Sequence, residues 1–598
     1  MQSPAEQPPL EDKDLRSIQE VRRLVARAYE AQKAFEKLPQ SRVDEIVARM
    51  AAAALAQSER LAALAVEETG YGNPRDKHLK NSFVARNVAD YIRPLRTMGV
   101  ISEDAVRRVT EIAVPMGVVA AIIPSTNPTS TAIFKCLISL KAGNGVVLSP
   151  HPAAARCILE SARACHTAAV EAGAPEGIIG CMSAPTLEAT QELMRHRRVA
   201  VILATGGSGL VKAAYSSGKP AYGVGPGNVP SYIDRSANVA KAVKDVITGK
   251  TFDNGTLCSS EQSVIVDRPV EAEAAAHFKR LLAHFLADDE RARLEAVAIG
   301  PNRSLNPQVV GKSASWIAEK AGIAVPAGTK VLVVRLEGVG REHPLSCEKL
   351  SPILGYYVVD GWQQGCARCK EILAYGGMGH TLSIHATDAE IVRQFGLEKP
   401  AFRICVNTPA THGSIGLSTA LAPSMTLGCG TYGNNITTDN ITPLHLIQVK
   451  RVAWEMTEFF PSWMHDQEQP ARAGVVSVPV TEIVDAYLAA RAMGRGPRPK
   501  PAGNPAPPAS NPAPAEPAPS AAAPPEPSRP SSPPAEPRAP RQEKPSRPLP
   551  KPVEFVCEQD VRTAIQARET IHVDSRTIIT PAARDLGDSH SIFKSSNS

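Results

Sequence analysis

The sequence predicts an α/β protein built on parallel β-sheets, and three observations indicate this fold class. Short apolar runs alternate with amphipathic segments over residues 114–215, as expected of strands that alternate with helices. One run, residues 199–203, leads into the glycine-rich turn ATGGSG, where a nucleotide phosphate could meet backbone N–H groups. A second block of strands and helices follows Cys258. We therefore expect a nucleotide domain that faces a catalytic domain across a cleft.

The individual elements follow from local periodicity. Apolar residues recur at helical spacing over residues 16–66, which predicts helices there. In the first block we expect strands at 114–123, 146–148 and 199–203, and helices at 132–140 and 153–174. In the second block we expect a helix at 277–286 and strands at 330–335 and 353–359.

Composition excludes several function classes. The net charge of +6 is spread over both signs and aromatic residues make up 5%, which argues against a nucleic-acid-binding surface. The N-terminus lacks the apolar core of a signal peptide, and the apolar run 114–124 is too short to cross a bilayer. We expect a cytoplasmic enzyme with reduced thiols. Cys366 and Cys369 form a lone CxxC, which we interpret as two ordinary helix cysteines, and we predict no metal site.

The composition changes abruptly near Gly494. Residues 497–552 contain 22 prolines. Such a segment has too little apolar surface to offset the entropy of the chain, so residues 495–552 are predicted to be a disordered linker. Ordinary sequence resumes at residue 553, and Val561, Ala564 and Ile565 fall at helical spacing before short β-branched runs. We expect a foldable element in residues 553–598, called the tail below.

A lone thiol in the stretch TFDNGTLCSSEQSVIV raises the question of its role. Cys258 could be a nucleophile, a buried filler or a metal ligand. Turn formers and hydroxyl groups surround it, whereas other cysteines lie in apolar or helical contexts such as IFKCLISL. The residues alone leave a catalytic and a structural role equally open.

Several long blocks, in one order, resemble the CoA-acylating aldehyde dehydrogenases over nearly all of residues 16–490. The blocks are IIPSTNPTSTAIFKCLISLKAGNGVVLSPHP, ATGGSGLVKAAYSSGKPAYGVGPGNVP, TFDNGTLCSSEQSVIV, GMGHTLSIH, RICVNTPATHGSIG and SMTLGCGTYGNNITTDNITPLHLIQVKRVA. The likeness is to the acetaldehyde and propionaldehyde dehydrogenases of bacterial microcompartments and to the aldehyde half of bifunctional alcohol dehydrogenases. It implies a Rossmann-type NAD-binding domain (16–229), a catalytic domain (230–430), and a return segment with a β-arm for oligomerisation (431–494).

The resemblance assigns roles to three residues far apart in the chain. Cys258 matches the nucleophile that attacks the aldehyde carbonyl. Asn127 matches the asparagine that stabilises the oxyanion together with the Cys258 N–H group, although a turn role before Pro128 is the simpler reading of the residue alone. Glu348 matches the glutamate that holds the nicotinamide ribose. Taken alone, the residue is more simply interpreted as a solvated acid at a helix start.

Four further residues lie in matching blocks. Gly206, Gly207 and Ser208 match the region near the cofactor pyrophosphate, although glycines after a strand often form a plain turn. His380 lies in the GMGHT block, where it could orient the acyl enzyme or CoA, or merely pack.

Two departures from the hydrolytic relatives bear on the chemistry. The glutamate that activates water in those enzymes corresponds to Gly223, within GVGPGNVP. Without that base the acyl enzyme resists hydrolysis, whereas CoA, itself a thiol, needs less help. The K-P-x-E block beside the adenosine ribose reads Ser149–Pro150–His151–Pro152, so the sequence leaves NAD and NADP open and the family favours NAD.

The resemblance therefore implies oxidation of acetaldehyde or propionaldehyde with NAD and CoA to acyl-CoA. It also implies a homodimer or homotetramer, with an arm near residues 107–112 and 430–455. The tail resembles the peptides that bind shell or cargo proteins and place such enzymes inside a microcompartment. A solubilising tail and a P-x-x-P ligand are the alternatives for the tail, and an acyl-phosphate reductase and a non-catalytic cargo protein are the alternatives for the whole chain.

Overall fold

The computed structural model describes residues 12–300, 305–457 and, in the tail, 555–595 without 557, 568, 574–576 and 580. Contacts divide the chain into two units, Met1–Asn504 and Pro505–Ser598, and each unit is described by itself. Residues 458–552, which include the predicted linker, lie outside the described residues. The predicted domain boundaries stay predictions. None of the described helices is long and apolar enough to cross a membrane.

The chain begins with amphipathic helices, as predicted for residues 16–66. Asp12 caps the first one, where its Oδ1 accepts hydrogen bonds from Asp14 N at 2.8 Å and Leu15 N at 3.0 Å. The helices are α1 (Lys13–Phe35), α2 (Gln40–Ala56), α3 (Ser58–Thr69), α4 (Pro74–Phe83) and α5 (Ala89–Ile92), with a π-helical turn, Val84–Val88, before α5. Their apolar faces are buried in the core.

A three-stranded antiparallel sheet, here called the arm, joins distant parts of the chain. Its strands are β1 (Gly99–Asp104), β2 (Val109–Pro115) and β15 (Ile447–Ala453), with β2 in the centre. It contains residues 109–112 of the predicted segment 107–112 and residues 447–453 of the predicted segment 430–455, and its role in oligomerisation stays a prediction. Most of its residues are exposed or partly exposed.

The first parallel sheet has five strands in the order β5-β4-β3-β6-β7, typical of a nucleotide-binding domain. Its strands are β3 (Val118–Ile123), β4 (Gly145–Pro150), β5 (Ile179–Cys181), β6 (Val199–Thr205) and β7 (Ala221–Val224). Its helices are α6 (Pro128–Lys141), α7 (Ala155–Glu171), α8 (Leu187–Arg195) and α9 (Ser208–Tyr215). The single strand predicted at 114–123 is wrong. The run splits into β2 and β3, because Gly117 takes a φ of +129° that ends one strand and redirects the chain into the other.

The second parallel sheet has seven strands in the order β10-β11-β12-β9-β8-β13-β14. Its strands are β8 (Val229–Ile233), β9 (Glu261–Asp267), β10 (Ala283–Phe285), β11 (Val331–Arg335), β12 (Ile353–Val359), β13 (Gly379–His385) and β14 (Ala401–Val406). Its helices are α10 (Val239–Thr251), α11 (Glu271–Arg280), α12 (Asp288–Ala298), α13 (Ala314–Lys320), α14 (Gly361–Tyr375), α15 (Ala389–Glu398) and α16 (Ala410–Ser414). Short 3₁₀ segments are Pro152–Ala154, Phe252–Gly255, Arg268–Val270, Pro307–Val309, Pro344–Ser346, Thr431–Gly433 and Pro443–Leu446.

The helix predicted at 277–286 is wrong in its second half. Leu282 has a φ of +66°, which ends helical geometry, and β10 follows as the edge strand beside β11. Phe285 packs on Tyr356 with ring centroids 5.3 Å apart, and this tertiary contact favours the strand. By contrast, Cys366 and Cys369 lie buried in α14, as two helix cysteines.

The tail forms its own small core. Its helices are Glu558–Ala567 and Pro581–Ser589, and its strands are Phe555–Val556, Ile571–Val573, Ile578–Ile579 and Phe593–Ser595. The strands pair in parallel, first with third and second with fourth. Val556, Val561 and Ala583 are buried at the centre, so the helix predicted from the spacing of Val561 is confirmed.

Candidate active site

A cavity of about 530 Å³ opens at the carboxyl ends of the central strands of the first sheet. Ile123, Pro150 and Thr205, which end β3, β4 and β6, line one side of it. Cys258 and Glu348, from the block that carries the second sheet, line the other. This is the place where open parallel sheets bind ligands, and it is the predicted cleft between the two blocks.

A tight turn carries Cys258 into this cavity. Asp253 and Asn254 have φ values of +50° and +54°, a left-handed geometry that neighbouring groups hold in place. Asp253 Oδ1 accepts a hydrogen bond from Asn73 N at 2.9 Å, and Asn254 Nδ2 donates to the Gly311 carbonyl at 2.9 Å. As a result Cys258 is partly exposed, whereas the residues on either side of it are buried.

The charges around Cys258 oppose one another. Burial raises the pKa of its thiol to about 12, and the negative charge of Glu348 acts in the same direction. The cation of Arg403 lowers the pKa of the thiol. Arg403 is buried, donates to the carbonyl oxygens of Thr438 at 3.0 Å and Gly379 at 3.3 Å, and its Nε has no hydrogen-bond partner among the described residues. The sequence analysis missed Arg403, because only the fold brings it to the thiol.

Asn127 stands at the start of α6, with Pro128 as the first helical residue. Its side chain does not cap that helix. Instead Lys80 Nζ donates to Asn127 Oδ1, and Asn127 Nδ2 donates to the Thr256 carbonyl at 3.2 Å. The amide therefore lies beside the turn that carries Cys258, and both residues line the cavity.

Glu348 and His380 both lie beside Gly227, and Gly227 faces the Cys258 carbonyl. Glu348 Oε1 accepts a hydrogen bond from Gly227 N at 2.9 Å, and burial raises the pKa of this carboxyl to about 7. Glu348 therefore does not act as a solvated acid at a helix start. His380 is fully buried, and burial, reinforced by Arg403, lowers its pKa to about 3, so the ring is neutral. A side chain at Gly227 would come within 2.2 Å of the Cys258 carbonyl oxygen and 3.2 Å of the His380 ring.

The predicted phosphate turn borders the same cavity. Gly206 and Gly207 line it, and α9 begins at Ser208. Leu210 N and Val211 N donate to the Gly207 carbonyl at 3.1 and 3.2 Å, so the Ser208 and Gly209 N–H groups are the ones without a partner within the helix. The space beside Gly207 is open, because no atom lies within 4 Å of a Cβ built there. The SPHP segment, residues 149–152, lines the same cavity. The glycine turn, the start of α9 and Cys258 thus border one cavity, and its lining fits a dinucleotide.

Gly223 has no room for a side chain. A Cβ there would lie 2.7 Å from the Tyr215 hydroxyl oxygen and 2.6 Å from Val211 Cγ1. Gly223 N donates to the Tyr215 hydroxyl at 3.0 Å, and Asn435 Nδ2 donates to the Gly223 carbonyl at 2.6 Å. A glutamate cannot occupy this position without rebuilding these contacts.

The aldehyde dehydrogenase family profile matches residues 1–337. The aldehyde-alcohol dehydrogenase of Streptococcus pneumoniae is 45% identical over 409 residues, which cover 67% of this chain and 46% of that protein. The chain thus spans about half the length of the curated relative. The crystal structure of an acetylating aldehyde dehydrogenase from Geobacillus thermoglucosidasius is 52% identical, with a TM-score of 0.75 over 76% of this chain and 100% of that one. A propionaldehyde dehydrogenase from the Clostridium phytofermentans fucose utilisation bacterial microcompartment is 28% identical, with a TM-score of 0.66 over 73% of this chain and 97% of that one.

The profile covers more than half of the chain, and the solved acetylating enzyme is matched over its full length. The parallel sheets, the cleft and the cysteine turn described above agree with this match. The chain therefore belongs to the aldehyde dehydrogenase family, in its acylating branch.

Proposed function

We propose that the protein oxidises a short-chain aldehyde, acetaldehyde or propionaldehyde, to the corresponding acyl-CoA, with NAD as oxidant and CoA as acyl acceptor. One observation carries this proposal. Cys258 and Asn127 line the same cleft, while a side chain at Gly223, which we align with the water-activating glutamate of hydrolytic relatives, would clash with Val211 and Tyr215.

The first step joins the aldehyde to Cys258. The sulfur adds to the carbonyl carbon, and the proton of the thiol ends on the carbonyl oxygen, which gives a thiohemiacetal. The Asn127 Nδ2 group and the Cys258 N–H group stabilise the negative charge that develops on that oxygen. Arg403 favours the thiolate form of Cys258, which is the attacking species.

A dinucleotide in the cleft would supply the hydride acceptor. The thiohemiacetal carbon then loses its hydride and the hydroxyl group loses its proton to water, which leaves a thioester on Cys258. We assign Glu348 to accept hydrogen bonds from the nicotinamide ribose, and the turn of Gly206, Gly207 and Ser208 to the pyrophosphate. The Gly206 N–H group already donates to the Val224 carbonyl at 3.3 Å, so the N–H groups of Gly207 and Ser208 are the proposed donors. The thiol of CoA then attacks the thioester carbonyl carbon. Its proton returns to the Cys258 sulfur, and acyl-CoA leaves.

The acyl enzyme reacts with CoA rather than water because only water needs a strong general base. At pH 7 a free thiol already supplies some thiolate, whereas water supplies almost no hydroxide. The buried, neutral His380 lies beside Gly227, the residue that faces the Cys258 carbonyl, and we assign it to packing that supports the turn.

Analysis of the reaction products tests this proposal. Purified protein with an aldehyde and NAD should form NADH continuously only when CoA is present, with one acyl-CoA per NADH and little free acid. Free acid formed at the same rate without CoA would contradict it. A kinetic panel of C2 to C4 aldehydes would then identify the preferred substrate.

NAD rather than NADP is the proposed oxidant. None of the described residues that line the cavity is a lysine or an arginine, so no cation in the lining can pair with a 2′-phosphate. We expect kcat/KM to be at least about tenfold higher with NAD. A higher value with NADP would contradict this assignment.

The arm supports the proposed dimer or tetramer. Val452 in β15 is 40% exposed, and Trp454, just beyond it, is 50% exposed, which is unusual for large apolar side chains and typical of interfaces. The charged variant W454E should lower the mass measured by light scattering, while L397E, at an exposed leucine of α15 outside the arm, should not.

The tail supports a role in microcompartment encapsulation. Its described residues form a small core of their own, and a proline-rich sequence precedes it in the chain. Deletion of residues 497–598 should leave aldehyde oxidation unchanged and abolish co-purification with shell proteins. Unchanged co-purification would remove the tail from the proposal.

A further inference from the structure

Four polar residues form a closed ring of hydrogen bonds beside Cys258. Lys80 Nζ donates to Asn127 Oδ1, and Asn127 Nδ2 donates to the Thr256 carbonyl at 3.2 Å. Thr256 Oγ1 donates to Asp253 Oδ2 at 2.7 Å, and the same oxygen accepts from Lys80 Nζ. The ring links α4, the start of α6 and the turn that carries Cys258.

The chemistry of a lysine decides how Asn127 is oriented. An ammonium group only donates hydrogen bonds, so it can face the carbonyl oxygen of the amide and not its NH₂ group. The Nδ2 atom must then point the other way, toward Thr256 and the cavity. One of its hydrogens meets the Thr256 carbonyl, and the other makes only a 3.3 Å contact with Thr126 Oγ1, which a reacting oxygen can replace.

Lys80 is buried together with its partner Asp253. The side chains of Lys80 and Asp253 are 2% and 0% exposed, and such a buried pair contributes little net stability compared with an apolar pair. Burial lowers the pKa of Lys80 to about 8, which still leaves the amine protonated at pH 7.

Lys77 provides an internal comparison. It is as buried as Lys80 and donates to the same Asp253 Oδ2 at 2.9 Å, but its other bond goes to the Thr126 carbonyl at 3.1 Å and not to the Asn127 side chain.

We propose that Lys80 is a positioning residue, which, held by Asp253, turns the Asn127 amide so that its Nδ2 faces the oxygen of the aldehyde bound at Cys258. This inference rests on the proposed function, because it assigns Lys80 to the oxyanion site of that reaction. Lys80 acts through Asn127 and touches no reacting atom.

A double-mutant cycle tests this role. K80M should lower kcat for aldehyde oxidation about 10- to 100-fold with little change in KM for NAD, and N127A should lower it about 100-fold or more. K80M/N127A should be no slower than N127A, because Lys80 has nothing left to position. A double mutant slowed by the product of the two single effects would overturn the proposal, as would K80M with the kcat of wild type.

Two controls separate positioning from folding. K77M removes a lysine from the same carboxylate, and we expect it to lower the thermal midpoint as K80M does while losing less than about threefold in kcat. Alkylation of Cys258 by iodoacetamide, which develops no oxyanion, should proceed in K80M within about threefold of the wild-type rate. If K80M does not fold, K80Q takes its place in the cycle, because a neutral amide can donate or accept and no longer dictates the orientation.

The outcomes also separate this inference from the proposed function. A folded wild-type protein that forms no acyl-CoA overturns both. Active wild type with equal losses of kcat in K77M and K80M overturns only the role of Lys80.

Discussion

Gly72 lies against Asp253, in the turn that carries Cys258. The variant Gly72→Ala should therefore lower both the stability of the protein and its activity. Gly72 has a φ of +73°, and a Cβ there would lie 1.8 Å from Asp253 Oδ1. Such contacts are essentially never shorter than 3.0 Å, so the carboxylate would have to retreat by about 1.2 Å. The variant therefore carries two penalties, a left-handed alanine and a displaced buried carboxylate.

The magnitude follows from the contacts of that carboxylate. The left-handed alanine costs about 1–2 kcal/mol. Asp253 accepts hydrogen bonds from Asn73 N at 2.9 Å, Thr256 Oγ1 at 2.7 Å and two lysines, and a retreat of this size breaks at least one. Each bond to a charged group is worth about 1.5–3 kcal/mol, so the displacement adds about 3 kcal/mol when one or two are lost.

Gly218→Ala is the matched control. Gly218 has a φ of +80°, but no atom lies within 4 Å of a Cβ built there, so this variant carries only the left-handed penalty. The extra penalty of about 3 kcal/mol, divided by an unfolding entropy of roughly 1 kcal/mol/K for a folded unit of this size, should place the midpoint of G72A about 3 °C below that of G218A. The kcat of G72A should fall at least about tenfold, because its turn is displaced. Equal midpoints for the two variants would refute the reasoning.

Three further predictions concern the cleft. The pKa of Glu348 is raised to about 7, so its carboxylate form is lost as pH falls through 7. The KM for NAD should therefore rise below pH 7 in wild type and stay flat in E348Q. A parallel rise in both proteins would contradict the assignment. Glu348 and Arg403 act on the pKa of the Cys258 thiol in opposite directions. Alkylation of Cys258 at pH 8 should therefore slow about tenfold in R403M and accelerate in E348Q. A change of rate in the same direction in both variants would be inconsistent with this account. G223A should destabilise the protein by about 1–3 kcal/mol, whereas G225A, whose Cβ meets open space, should not; equal thermal midpoints would count against the packing argument.

Local patterns predicted the parts of the fold that local physics determines. The strand at 353–359 has the predicted bounds, since a buried β-branched run between turns is a local signal. The segment 277–286 was assigned wrongly, because helix and strand compete over a few residues and the edge position beside β11 favours the strand. The break at Gly117 depends on a backbone angle that hydrophobicity does not encode.

The site was less accessible to residue-by-residue reasoning. Composition around Cys258 left its role open, and Asn127 and Glu348 could be named only through the resemblance, because no short-range pattern joins residues so far apart. Lys80 and Arg403 escaped notice altogether. Within a sequence such as DKHLKNSF a lysine reads as part of a solvated helix face, and its burial depends on Asp253, which arrives from a distant turn.

The central claim is that an acyl group rests on Cys258 until CoA removes it. Peptide mass spectrometry after incubation with propionaldehyde and NAD, without CoA, measures that intermediate directly. We predict a propionyl adduct on the Cys258 peptide that survives for many turnover times and disappears within one turnover of adding CoA, with an equal amount of propionyl-CoA formed. An adduct that water removes as fast as CoA does, or an adduct on another cysteine, would contradict the account.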